Sequence, residues 1–351
     1  MNSVCTMKHN GANVRSGAVL LVVLFVSMVV ALLSMTVLVR ANRQVLVAGG
    51  SAAKLELDYL AEAGLVHAKA LLLHPHDVAA GADGYWQGGE GLQIEAGDCY
   101  YDLTVTRPDV DDRCTYRITS RSYRSGSGVQ SNLEADLRLD PCIALRTGAD
   151  ASLPGSVTIR GDVYCGGVLS GSATLYGDVF GNADAFTGLR TGREYAATDL
   201  NLTLPDVNAD HFSGSIFEED LTIDPNNIYD RPICVVGNLT ITDGAIINIS
   251  ADKNYPALVV TGELSIESGA QLDARGLVKA GSMRVEASAG RVSVLGALFV
   301  DGGMVVDGSY VGPITITADP MSAAVKTSNS WSPAAGGFFK YVKRVEAAPS
   351  E

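Results

Sequence analysis

Asp109, Asp111 and Asp112 crowd into the stretch RPDVDDRC, and carboxylate oxygens at that density are the hard ligands a calcium ion takes. The spacing of a calcium loop, with a glycine and a distal glutamate, is missing, so the run reads as a solvated acidic turn. His74-Pro75-His76-Asp77 offers half of a metal site. No other His or Cys stands at ligand spacing from it, which leaves a solvated turn at a helix end. Asp162 and Asp178 occupy the same place in a repeated unit, RGDVYCGG and then YGDVFGNA. Stacked on one face of a repeating β structure, two carboxylates can hydrolyse a glycosidic bond. An aspartate after a turn glycine also bonds the local backbone, and no basic or aromatic cleft accompanies this pair, so turn geometry is the reading. GxSxG, phosphate-loop and dinucleotide fingerprints are absent. The sequence therefore predicts no catalytic residue, no metal site and no cofactor.

Six cysteines remain: Cys5, Cys99, Cys114, Cys142, Cys165 and Cys234. None forms a CxxC pair, so disulfides rather than zinc are expected of those that reach an oxidising compartment. Cys99, Cys114, Cys142 and Cys165 are the candidates. Cys99 and Cys114 begin neighbouring strands, and antiparallel pairing separates such ends unless the first strand is short or bent. The net charge of −13 argues against nucleic acid as a partner, since phosphate binding needs a basic face.

These residues must be placed by elements, and the first is the plainest. Residues 17–39 read GAVLLVVLFVSMVVALLSMTVLV without a charge, and at ~1.5 Å per residue the run reaches ~35 Å, enough to cross a bilayer. It exceeds the apolar region of a cleaved secretory signal, so a retained transmembrane helix in membrane lipid is predicted. Lys8 and Arg15 before it nearly balance Arg40, Arg43 and Lys54 after it. The cysteine-bearing bulk on the C-terminal side settles the orientation as outside the cytoplasmic membrane. Leu57, Leu60, Gly64, Leu65, Ala68 and Leu72 then recur at helical spacing, with Gly49-Gly50 as a flexible joint and His74-Pro75 as the stop. Strands follow at 99–106, 114–123 and 129–139. Beyond them, Gly237, Gly262, Gly281 and Gly302 mark units about twenty residues long, each a short apolar strand, a turn and an alternating strand. A β-solenoid is the expectation, with a β-sandwich as the alternative. Its interior would take Val236, Leu239, Ile241, Val259, Leu264, Ile266, Val278, Met283, Val285, Phe299, Met304 and Val306. Trp331, Phe338, Phe339 and Tyr341 would cap the last coil.

The short basic leader, RSGAVLLVVL from Arg15 and LAEAGLVHA from Leu60 resemble the N-terminal region of PilX-type minor pilins and of related type IV pilus and type II secretion pseudopilins. The resemblance covers roughly a fifth of the chain. It implies a helix that anchors the subunit in the membrane and then packs with other pilin-like subunits or assembly machinery, with a β-rich head outside. It also implies processing by prepilin peptidase between Gly17 and Ala18. The glutamate that major pilins carry at the fifth mature position is here Val22. The repeat region resembles polymer-forming β-repeats appended to some pilus-assembly proteins. The fold class is thus α+β, then mostly β. The expected order is a cytoplasmic leader (1–16), a transmembrane helix (17–39) and an amphipathic extension (40–74). A small antiparallel sheet (75–140), a β-solenoid (141–326) and a cap with tail (327–351) follow. The function read from this is a non-enzymatic, membrane-anchored pilin-like subunit. A membrane-anchored surface adhesin or glycan-binding β-solenoid is the alternative.

Overall fold

The computed structural model describes residues 14–74, 85–94, 97–200, 212, 215–226, 229–251, 255–323 and 338–346. The chain divides into two compact units, Met1–Leu57 and Asp58–Glu351. Among the described residues the first unit is helix alone, the larger part of α1 (Val14–Leu73). The expected joint at Gly49-Gly50 is helical in the structure. Each glycine costs roughly 1 kcal/mol in a helix interior, too little to break a helix propagated from both sides. The helix stops at Leu73, just before His74-Pro75, as the proline requires. His9, Pro75, His76, Asp77, His211 and Trp331 lie outside the described residues.

Among the described residues the second unit holds two sheets. The first is antiparallel and contains β1 (Gly88–Leu92), β2 (Cys99–Thr106), β3 (Thr115–Arg124) and β4 (Gln130–Asp140). Residues 58–73 of α1 lay Ala61, Leu65, Ala68 and Leu72 into one apolar cluster with Tyr101, Leu103, Val105, Tyr116, Ile118 and Leu137. The strands alternate, so their inward residues form one face. A fifth strand, Phe338–Glu346, returns from the end of the chain and pairs antiparallel with β4. The tail therefore extends the first sheet, where a cap over the last repeat was expected. The reason is local: β4 otherwise ends the sheet with unpaired N–H and C=O groups, and FFKYVKRVE is a strand former able to satisfy them.

The second sheet has 18 strands among the described residues, all paired in parallel, in three ladders around an apolar interior. One ladder runs through 215–217, 233–235, 258–260, 278–280, 298–300, 145–147 and 163–165. A second runs through 221–223, 239–241, 264–266, 283–285, 304–306 and 151–153. The third joins 246–250, 271–275, 292–296, 314–318, 157–160 and 174–176. Each circuit of the chain makes one tier, and the repeat of about twenty residues is the length of a circuit. One junction breaks the rule of neighbours pairing with neighbours. The last tier, through Leu298 and Ile314, lies against the first, through Leu145 and Val157.

Most of the expected interior is where the alternation puts it. Leu239, Ile241, Leu264, Ile266, Val278, Met283, Val285, Met304 and Val306 are buried together. Three positions differ. Val236 is 41% exposed, because the strand ends at Val235 and the chain is already turning into Gly237. Val259 and Phe299 are buried on the other side of their strands. Leu258, Val260, Leu298 and Val300 take the inward positions, and a period of two leaves the residues between them facing out. Val259 and Phe299 join Ile143, Phe180, Phe212 and Ala323 in a second apolar layer over that ladder.

Candidate functional site

In the first unit the chemistry is that of a surface. From Leu20 to Leu46 the large apolar side chains are between 38% and 74% exposed, and none is covered. A helix of this length and composition can cross a membrane. The three hydroxyls between Leu20 and Val39 bond the helix's own backbone. Ser27 Oγ donates to the Leu24 carbonyl at 2.9 Å, Ser34 Oγ to Val30 at 2.8 Å and Thr36 Oγ1 to Leu33 at 2.7 Å. In hydrocarbon an unmade hydrogen bond costs several kcal/mol, so these back-bonds remove that cost at Ser27, Ser34 and Thr36. Gly17 and Ala18 sit near the start of α1, with the backbone helical through both.

Beyond Asp58 the helix changes character. Gly64 lies close against the antiparallel sheet. A Cβ built there would lie 2.4 Å from Ser120 Oγ and 2.9 Å from Tyr101 Cδ2. Three residues on, the ring nitrogen His67 Nδ1 is 2.8 Å from the Tyr101 hydroxyl, and burial pushes the Tyr101 phenol above its ordinary value. The AEAGL segment is therefore a docking surface for β2 and β3.

Of the acidic residues singled out from the sequence, Asp109, Asp111, Asp112 and Asp178 line an open cleft of about 350 Å³ with Arg113, Arg138, Arg160 and Tyr176. Most of them serve their own turn. Asp109 Oδ1 accepts the Asp111 N–H at 2.8 Å. Asp112 accepts the Cys114 N–H at 3.1 Å and the Thr115 hydroxyl at 2.7 Å. Asp111 pairs with Arg160 at 3.3 Å, and that guanidinium lies 4.8 Å from the centroid of the Tyr176 ring. Asp162 and Asp178 do come into register. Asp162 Oδ1 accepts the Asp178 N–H at 2.9 Å, and Asp178 Oδ1 accepts the Arg193 N–H at 2.8 Å. Each carboxylate thus caps the next tier. The same device recurs where Asp220 Oδ1 accepts the Asn238 N–H and Asn238 Oδ1 accepts the Glu263 N–H, both at 2.8 Å. The N–H of Asn238 holds the Asp220 carboxyl below the ordinary carboxylate range. Among the described residues no group of three or more His, Cys, Asp or Glu is placed to hold a metal.

The disulfide joins Cys114 to Cys142, with their Cα atoms 6.1 Å apart. Cys99 and Cys114 do not meet. β2 pairs Cys99 with Arg124 and Thr106 with Arg117, which sets the two cysteines at opposite ends of a ladder roughly 27 Å long at ~3.4 Å per residue. Cys99 is a half-buried thiol donating to Asp98 Oδ1 at 3.6 Å. Cys165 is a buried thiol facing Ala149 O at 3.4 Å. Cys234 is also a buried thiol, and burial pushes its pKa up.

Sequence reasoning missed two buried ion clusters near that disulfide. Arg138 Nη2 donates to Asp162 Oδ1 at 2.8 Å, with Asp162 fully buried. Asp319, 1% exposed, accepts from Arg107 Nη2 at 2.9 Å and Arg113 Nη1 at 3.2 Å. Arg107 also lies over Tyr85 and Tyr116, 4.6 and 5.3 Å from their centroids. Burial works against its charge, but Tyr116 and Asp319 outweigh burial and leave its pKa raised. Burial pushes the Tyr116 phenol up to about 12. In the sequence these arginines and aspartates look like any strand-end charges; nothing in their spacing pairs residues so far apart.

No family model matches this chain, and no curated protein does either. Among solved structures, the crystal structure of the competence-associated pilin ComZ from Thermus thermophilus aligns with 83% of this chain and 97% of that one. The identity is 13% and the TM-score 0.22, a degree of superposition that establishes no common fold.

Proposed function

We propose that this chain is a non-enzymatic, membrane-anchored, pilin-like subunit of a type IV pilus or type II secretion-like assembly, with its C-terminal bulk outside the cytoplasmic membrane. One observation carries the reading. The same helix is bare and apolar over 20–39 and, from Asp58 on, is docked through Ala61, Leu65, Ala68 and Leu72 on an antiparallel sheet. An anchor alone needs only the first part. The N-terminal resemblance to PilX-type minor pilins and pseudopilins adds its partners, other pilin-like subunits, and a prepilin-peptidase cut between Gly17 and Ala18. We read the parallel tiers as a β-solenoid carried outward by that subunit.

Expression of the full chain followed by membrane fractionation tests the anchor. Deleting residues 18–39 should move the protein to the soluble fraction, and a variant still membrane-bound at high salt overturns the assignment. Leu24→Lys should insert poorly, since a charge at mid-bilayer costs roughly 2.5–3.5 kcal/mol on insertion scales. Photo-crosslinking from position 37 should capture a pilin-like subunit. Intact-mass measurement of the exported protein should give a chain beginning at Ala18.

A further inference from the structure

The two repeated aspartates part company in the structure. Asp162 is fully buried, bonded to Arg138 and to the Cys142 N–H, whereas Asp178 reaches the open cleft of about 350 Å³. That cleft forms where a corner of the parallel sheet faces the connection between β2 and β3. Gly161, Gly177 and Gly192 hold the corner in three successive tiers. A Cβ on Gly177 would lie 2.3 Å from Gly161 O, and one on Gly192 2.0 Å from Gly177 O. The floor is therefore bare backbone. Tyr176 stands beside it, 40% exposed. Arg160, its partner in the neighbouring tier, lays a guanidinium 4.8 Å from the ring centroid. On the opposite side the register of Leu189 and Arg190 brings Thr191 level with Tyr176, and Thr191 is small and exposed. One face of the phenol ring is held by a cation, and the other is left to the cleft.

We propose that this cleft binds a neutral pyranose unit of a glycan, with one C–H face of the sugar on the Tyr176 ring and hydroxyls donating to Asp178 and Asp111. Shape and charge argue together. A pyranose presents a flat apolar face of C–H bonds and a rim of hydroxyls, which suits an exposed aromatic ring bordered by acceptors. Ionised carboxylates only accept, and hydrogen bonds to a charged group are the stronger kind. A polyanion is a poor fit, because four carboxylates line the cleft against three guanidinium groups. Those three are already paired, Arg113 with Asp319, Arg138 with Asp162 and Arg160 with Asp111. A cation fits little better. Asp109 and Asp112 accept from N–H groups of their own turn, and Arg160 is the cation the ring already holds. The site binds and does not cleave: hydrolysis takes two carboxylates flanking the bond, and the buried Asp162 cannot be the partner of Asp178. This ligand is additional to the pilin reading and does not depend on it.

Saturation-transfer NMR on the full chain in a sugar-free detergent tests it. Cellotetraose, chitotetraose and laminaritetraose serve as neutral probes, with spermidine and a heparin tetrasaccharide as charged ones. At least one neutral probe should bind, with saturation concentrated on one C–H face of a ring. Tyr176→Ala should weaken that binding by roughly tenfold, as the loss of an aromatic contact does, and Tyr176→Phe should stay within about twofold of the parent. Asp178→Asn keeps an oxygen for the Arg193 N–H while removing the charge. It should weaken binding by roughly fivefold to tenfold, the difference between a charged and a neutral acceptor. Thr191→Trp should abolish binding by covering the open ring face, and it keeps the test valid should Tyr176→Ala fail to fold. Absence of binding by every neutral probe overturns the proposal. Binding that is indifferent to the changes at Tyr176 and Thr191 overturns it too, as does a preference for spermidine or the heparin fragment.

Discussion

At Gly64 one methyl group decides how closely α1 can lie on β2 and β3. Alanine raises helix propensity by roughly 1 kcal/mol over glycine, which favours Gly64→Ala in isolation. Against it stands a Cβ placed 2.4 Å from Ser120 Oγ and 2.9 Å from the Tyr101 ring. Ser120 is fully buried, so its side chain has little room to turn, and the Tyr101 ring is tied to His67. Neither can give way freely, and overpacking of this kind costs about 1–3 kcal/mol. Steric cost outweighs propensity, so Gly64→Ala should lower stability by about 1–2 kcal/mol in chemical denaturation of the detergent-solubilised chain. Ser120→Gly should recover most of that loss in the double variant, and a loss that adds instead would refute the contact. The sequence showed Gly64 as one step of an apolar stripe, because periodicity reports which face is buried. It carries no sign of how near the opposing backbone comes. The arginine–aspartate clamps were hidden for the same kind of reason, since each pairs residues that only tertiary structure brings together.

Among the elements, the marker glycines show what a repeat does and does not reveal. Their period located the tiers, and all four stand where the first ladder turns into the second. Only Gly237 of the four needs a left-handed backbone, with φ of 152°. The others are glycines because tiers stack at that corner with no room between backbones. A Cβ on Gly281 would meet Thr261 O at 2.3 Å and Gly262 O at 2.7 Å, and the Gly302 N–H donates to Gly281 O at 2.6 Å. Both obstacles are backbone, which cannot rotate away. Gly281→Ala should therefore cost more than about 2 kcal/mol, toward the upper end of overpacking penalties. Gly308→Ala, with nothing within 4 Å of its Cβ, should stay within about 0.5 kcal/mol of the parent. Equal melting temperatures for the two variants would mean that the corner yields. The phase of the first strand in each unit was harder to read. Runs such as ALVV and ALFV are apolar on both faces, since one side fills the interior and the other the outer layer around Phe299. Alternation had nothing polar to register against, and Val259 and Phe299 were assigned to the wrong side as a result.

At the scale of the whole molecule, the order of tiers in space is not their order in the chain. Units of similar length and pattern suggest stacking from first to last, and composition offers nothing against it. Here the chain starts in the middle of the parallel sheet. It runs outward through 143–195, and its later circuits from 215 onward return until the last tier closes on the first. Ile316 sits at that closure, paired with Val294 of its chain neighbour and with Ile159 of the first tier, and all three are buried in the same core. Truncating Ile316 to alanine should cost about 2–5 kcal/mol, the usual range for a buried large-to-small change. Where the loosening appears is the sharper test. With the order seen here, exchange should rise at 292–296 and at 157–160 together, although the second segment is remote in sequence, and fade toward 246–250. A stack made only of sequential neighbours would open at 292–296 and leave 157–160 protected. Hydrogen exchange on the oxidised full chain separates these outcomes, because the tiers couple through nearest-neighbour contacts and damage travels along whichever neighbours are physically present.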